Sequence, residues 1–266
     1  MSPSAKLKWI YATMIAFIVL FSVQLAIYLA CSTGSAGLRH TDAAYIGVGV
    51  VAGYTLIRMI WRIVAQAYLS RRWLGRFRSN QHLKLSRRLA YKYRNLGTEI
   101  IVVKDKAFVA LSFGLRRPAI VVSSAVLEMF TDDEVKAIVL HEWHHCHNRD
   151  NAKWFLARML TEGFGYLPIM SPVLRYYHTW MELLADRFAI RRMGTELPLA
   201  SVLLKLSKLG NQRRLAAAVH FGATAMNYRI AQVLDPDKTV KVKVAWVRPL
   251  LMSVSMLLLL MLSGDS

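Results

Sequence analysis

His141-Glu142-Trp143-His144-His145 places two histidines four residues apart with a glutamate beside the first. On an α-helix, positions four apart lie one above the other on a single face. His141 and His145 can therefore offer two imidazole nitrogens to one metal ion. Glu142 then stands where a carboxylate can take a proton from water at that metal. Imidazole suits zinc, and one more protein ligand would leave a position open for water. The rival reading is a surface helix rich in histidine, since His144 and His147 crowd the same stretch. Ahead of it, Thr131-Asp132-Asp133-Glu134 has the form of a capping box that starts a helix. Val135, Ile138, Val139 and Glu142 follow with helical spacing.

Glu182-Leu183-Leu184-Ala185-Asp186 repeats the four-residue interval with two carboxylates on an otherwise apolar helix. A carboxylate on such a face is costly to bury without a metal or a hydrogen-bond donor. Glu182 as third zinc ligand, with Asp186 bonding the far nitrogen of His141, satisfies both acids and fixes the histidine tautomer. Solvated acids paired with Arg187 or Arg191 are the alternative. His220, Tyr228 and Arg229 are the polar groups late enough in the chain to return over such a site, and any of them could stabilise an oxyanion.

The chain has 266 residues, 55% of them hydrophobic, and a formal charge of +19. That is enough for one catalytic domain plus membrane segments, and not for two sizeable soluble domains. Its two cysteines, Cys31 and Cys146, make no disulfide framework. Residues 9–30 carry no charge and read as a membrane span; a second apolar run, 43–57, ends near Arg58 and Arg62, giving two spans at about 9–30 and 43–62. From Arg71 to Arg94 the chain is basic with no acid before Glu99. Beside apolar helices this marks a cytoplasmic linker, 71–98, rather than a nucleic-acid patch, although Trp73, Phe77, Tyr91 and Tyr93 are interleaved. Residues 244–262 read as a last span ending outside.

Between them lies the expected catalytic domain, 99–240. Residues 99–103, 107–113 and 119–123 read as strands. An edge strand beside a zinc helix can hold an extended peptide by backbone hydrogen bonding, a role assigned to Ala107, Phe108, Val109 and Ala110. The stretch 154–174 is apolar but interrupted by Arg158, Glu162, Pro168 and Pro172. One membrane crossing there would separate Glu182 from His141, and two need more chain. A helical hairpin is the remaining reading, followed by an amphipathic helix over 198–209.

The helix with His141, Glu142 and His145, together with the later Glu-x-x-Ala-Asp, resembles the gluzincin membrane peptidases, among them HtpX-like and CAAX-prenyl-protease-like enzymes. The nearer likeness is to the BlaR/MecR-type antirepressor metallopeptidases. Phe113-Gly114-Leu115-Arg116-Arg117-Pro118-Ala119-Ile120-Val121-Val122 is similar to that family's strand region, and His145-Cys146-His147-Asn148-Arg149-Asp150 to its His-x-x-x-Arg-Asp continuation. The HtpX-like His-Pro pair before a late Arg-Ile is missing; Tyr228-Arg229-Ile230 remains, which favours Arg229 as the transition-state group.

The resemblance implies a mainly α membrane protein: transmembrane helices plus an α+β gluzincin-type domain with a small β-sheet. It implies a zinc metalloendopeptidase with one Zn²⁺ per chain, held by His141, His145 and Glu182. Asp186 would orient His141, and Glu142 and Arg229 would be catalytic. Its substrate would be a cytoplasmic protein, a BlaI/MecI-like repressor or the chain itself. It would sit in a bacterial plasma membrane as a multi-pass protein in contact with lipid, without direct nucleic-acid binding, its N-terminus and catalytic domain cytoplasmic and its C-terminus outside. Sensor-bearing relatives continue into a penicillin-binding domain; this sequence stops, so β-lactam recognition of that kind is not expected. A non-catalytic metal-binding scaffold and an HtpX-like quality-control protease are the alternatives. Oligomeric state is left open by the sequence.

Overall fold

The computed structural model describes residues 43–212, 219–235 and 240–262, together with 5, 7–16, 19 and 23. Helices dominate: α1 (Ala43–Ser79), α2 (Leu83–Lys92), α3 (Ser124–Met129), α4 (Asp132–His147), α5 (Asp150–Gly163), α6 (Met170–Met193), α7 (Leu197–Gln212), α8 (Val219–Leu234) and α9 (Val247–Leu262). Three strands, β1 (Ile100–Val103), β2 (Ala110–Phe113) and β3 (Ala119–Ser123), form one sheet in the order β1-β3-β2.

The membrane class expected for the fold is overturned. Among the described residues, no helix is long and apolar enough to cross a membrane. The apolar run from residue 43 continues as one helix through Arg58, Arg62, Arg71, Arg72, Arg76 and Arg78. At the other end α9 has 16 residues, about 24 Å of helix against a hydrocarbon thickness of about 30 Å. The first expected span, 9–30, lies largely outside the described residues.

The chain divides into two compact units. The first holds Met1–Gln66, Leu156–Tyr177 and Lys243–Ser266. Within it Arg62 pairs with Glu162 at 3.4 Å, and the Ile169 N–H donates to Ser253 Oγ at 3.1 Å. A Cβ on Gly163 would stand 2.8 Å from Met59 Cγ, so glycine permits that close approach. Large apolar side chains lie exposed along α1 and α9, Ile57, Trp61, Val64 and Leu251 among them.

The second unit, Ala67–Phe155 with His178–Val242, contains the sheet and the histidine helix. β1 runs parallel to β3, with Ile100 opposite Ile120, and β2 runs antiparallel to β3, with Phe113 opposite Ala119. Alternation sends Val102, Ile120 and Val122 to one face, against Val126, Val135, Ile138 and Val139. Ile101, Val103 and Val121 turn to the other face, where Phe77 and Phe113 cover them. Both faces being covered, β1 and β3 can be nearly pure Val and Ile.

β2 is shorter than the sequence implies. Ala107, Phe108 and Val109 precede it, because the Ala107 N–H is taken by Asp105 Oδ1 at 2.9 Å in a turn. Only from Ala110 does the ladder to β3 begin. Gly114 ends the strand with φ +105°, and a Cβ there would lie 2.8 Å from the Arg117 carbonyl oxygen.

The capping box at the start of α4 is formed: the Thr131 side chain accepts from the Glu134 N–H, and Glu134 Oε2 accepts from the Thr131 N–H at 2.8 Å. Glu134 also receives Ser201 Oγ and Lys205 Nζ from α7. Burial opposes the charge on Glu134, but the bonds from Lys205, Ser201 and Thr131 hold its carboxyl below the usual range. The unfolded chain therefore binds this proton more readily than the folded one. The stability it contributes is whole above pH 4.5 and fades as pH falls below that. Thr131→Ala should cost about 1 kcal/mol in urea unfolding at neutral pH. Glu134→Gln should flatten the acid limb of the stability profile, measured in the same assay.

Candidate metal centre

Helical spacing on α4 brings His141 and His145 together, with Nε2 atoms 3.2 Å apart. Glu182, from α6, turns its two oxygens to them: Oε2 lies 3.4 Å from His141 Nε2 and Oε1 lies 3.6 Å from His145 Nε2. The three side chains offer ligand atoms all within 4.8 Å of one another. Glu142 lines the same groove, and both histidines and Glu142 are buried.

Each imidazole is held from behind by a carboxylate. Asp186 Oδ1 lies 2.8 Å from His141 Nδ1, one helical turn beyond Glu182 on α6. Asp150 Oδ2 lies 2.9 Å from His145 Nδ1. Both aspartates are buried. Asp150 owes its place to a turn: α4 ends at His147 with Asn148 as its cap, and Arg149 takes a left-handed φ of +54°, uncommon for a residue with a Cβ. That turn starts α5 with Asp150 folded back on His145. The sequence reading included Asp150 in a resemblance but gave it no role; its interval of five from His145 is not a same-face helical spacing.

Arg229, on α8, reaches the same place. Its Nε and Nη2 donate to Asp186 at 2.7 and 2.8 Å, and its Nη1 lies 3.0 Å from Glu182 Oε2. Gln232, one turn on, donates to the Leu183 carbonyl and accepts from Arg187, fastening α8 to α6. Tyr228 and His220 also belong to α8. His178, one turn before Glu182, lies 3.9 Å from its Oε1 with the Trp154 ring alongside. Sequence reasoning did not single out His178.

The electrostatics are those of an acid-rich pocket. Burial opposes ionisation of Glu182 and Asp186, but Arg229 and the imidazoles hold Glu182 well below the usual range and Asp186 below it. Burial and Arg229 push His141 down, yet its bonds to Asp186 and Glu182 prevail and take it up to about 10. Burial pushes the neighbouring His144 down to about 4 and the Cys146 thiol up to about 12. Positive charge is thus favoured at the His141–Glu182 contact. With two imidazoles, one carboxylate and an oriented far nitrogen on each ring, the donor set fits a divalent metal ion.

The groove beside the cluster has a volume of about 320 Å³. Phe108, Ala110, Leu111 and Ser112 border it on the strand side, and Ile138, Met181, Leu199 and Val202 provide apolar wall. Of the four residues expected to bind substrate, Phe108 and Ala110 line this groove. Val109 is engaged with β3 instead: its N–H donates to Ser123 Oγ at 3.1 Å, and its carbonyl accepts from the Ser123 N–H at 2.8 Å.

A histidine pair and a glutamate on two helices, beside a small sheet with β2 at one edge, define a protein with a candidate metal centre in a groove. The model of the BlaR1 peptidase M56 family matches residues 10–233, and the chain belongs to that family. It is also similar to the regulatory protein BlaR1 of Bacillus licheniformis, 26% identical over 117 residues, which is 43% of this chain. That match spans 19% of the relative's length. Membership supports a peptidase role.

Arg229 bonds to both Asp186 and Glu182, so its loss should be felt in the fold before any chemistry. Arg229→Met should destabilise the metal-free protein by roughly 3–5 kcal/mol, the usual cost of stranding buried charge. Urea unfolding with and without added zinc should show part of that loss recovered by the metal.

Proposed function

We propose that the chain is a zinc metalloendopeptidase, with His141, His145 and Glu182 holding the ion and Glu142 acting as general base. The observation that carries this reading is the convergence of three ligand atoms from α4 and α6 in a groove bordered by an edge strand. When bound, zinc supplies Lewis acidity, enough to make water a usable nucleophile at neutral pH. Glu142 takes the proton of the attacking water and passes it to the leaving nitrogen as the peptide bond breaks.

Asp186 and Asp150 keep each imidazole in the tautomer with Nε2 free for the metal. Arg229 was expected to be catalytic; its contacts support a positioning role, since three of its nitrogens are committed to Asp186 and Glu182. The substrate backbone would lie along β2, which has one side unpaired in the sheet. Only Phe108 and Ala110 of the expected contact residues line the groove, so the docking stretch is read as Phe108 with Ala110 to Ser112.

The family relationship favours a protein as substrate. A repressor of the BlaI/MecI type, or the chain's own basic stretch 71–98, is the reading supported by the resemblance and by the regulatory name of the similar protein. It also fits an association with a bacterial membrane, while the multi-pass topology has no support in the described helices.

Purified protein with one zinc per chain should cleave casein or a repressor of that type. Chelation by EDTA should abolish the activity, and Glu142→Gln should lower it at least a hundredfold with metal content unchanged. Zinc retained with no cleavage by the unmodified chain would favour a non-catalytic scaffold. Metal affinity, measured by competition with a chromophoric chelator, should fall most in Glu182→Ala. Asp186→Ala and Asp150→Asn should each lose roughly 10–100-fold. Full retention in Glu182→Ala would remove that residue from the ligand set.

A further inference from the structure

One end of the β2 edge carries positive charge that no described acid neutralises. Ser112 and Asn151 both line the groove, and Ser112 Oγ donates to Asn151 Oδ1 at 3.1 Å. Asn151 Nδ2 in turn donates to the Gly114 carbonyl at 3.3 Å, fastening the start of α5 to the turn after β2. Arg149 stands two residues before Asn151, and Arg116 and Arg117 lie on that turn. All three arginines are exposed, and among the described residues none forms an ion pair, whereas nearby Lys153 lies 3.6 Å from Asp150. The chain ahead of β2 is different. There Lys104, Asp105 and Lys106 mix the signs, and an oxygen of Asp105 accepts the Ala107 N–H.

An extended peptide advances about 3.3 Å per residue. A segment lying along β2 with an apolar residue against Ile138, Met181, Leu199 and Val202 therefore reaches the Gly114 turn within a few residues. Its side chains there come to the turn that carries Arg116 and Arg117, to which Asn151, two residues after Arg149, is bonded. Arginine's fork binds carboxylates in pairs of hydrogen bonds. The +19 charge of the chain adds a long-range field that draws acidic segments in and repels basic ones.

We infer that Arg116, Arg117 and Arg149 form a specificity patch selecting protein segments with Asp or Glu a few residues from the apolar anchor. The inference rests on the proposed peptidase reading in that it concerns the same groove, but binding tests it without catalysis.

The test uses the full chain carrying Glu142→Gln and short fluorescein-labelled peptides. Each peptide has an apolar centre and a pair of Glu, Gln or Lys residues on one flank or the other. Fluorescence anisotropy should show the Glu peptide, on one flank only, binding roughly tenfold tighter than its Gln counterpart, and the preference should vanish at high salt. Adding Arg116→Glu and Arg117→Glu should reverse it in favour of Lys. The control, Arg87→Glu with Arg88→Glu, sits on α2, which packs on β1 at the far edge of the sheet, and should keep it. Equal binding of all peptides overturns the patch, as does a preference lost to the same extent in the α2 control. Should the preference follow the arginines while the unmodified chain leaves the Glu peptide intact, the peptidase reading falls and the patch stands.

Discussion

Two carboxylates on one helical face, Asp186 buried and Glu182 largely so, are the constraint around which the second unit is arranged. Glu182 and Asp186 could not stay ionised inside the protein without compensation. Compensation comes from two separate elements, an imidazole pair on α4 and a guanidinium on α8, while Asp150 at the start of α5 is a further buried acid that takes its own partner from the second imidazole. Each partner must arrive with its polar atoms correctly aimed. The helices that carry them have little freedom to slide as a result. Gln232 adds to this by tying α8 to the backbone of α6 at Leu183.

The same charges would favour a cation at this centre. Holding Glu182 well below its usual range keeps a negative oxygen turned towards two imidazole nitrogens. Arg229 offsets part of that charge without sitting between the nitrogens. Such a site would carry its charges without a metal and would still favour a divalent ion. Apolar packing of Ala137, Leu140, Ala189, Leu199 and Leu203 beneath it supplies the low-dielectric surroundings that give these charges their strength.

How much of this could be read from the sequence depended on whether the relevant spacing was local. The four-residue intervals His141–His145 and Glu182–Asp186 follow from helix geometry, and so does the Thr131–Glu134 cap. The pairing of Asp150 with His145 does not, because it needs the left-handed turn at Arg149, a conformation that residue type does not announce. Arg229 could be picked out by resemblance, but its grip on two acids belongs to tertiary packing. The start of β2 was misplaced for a local reason: Asp105 captures the Ala107 N–H before a ladder can form. The membrane spans were inferred from apolar runs, and a run says nothing of where its helix stops. α1 carries on into arginines, and α9 is too short.

Glu134 serves two masters at once. The carboxylate that closes the first turn of the histidine helix also grips Ser201 and Lys205 on α7, the helix whose Leu199 and Val202 wall the groove. One acid thereby clamps the rear of the cleft like a rivet. Widening to admit a bulkier chain would then come from the strand side, where β2 pairs with β3 alone among the described strands.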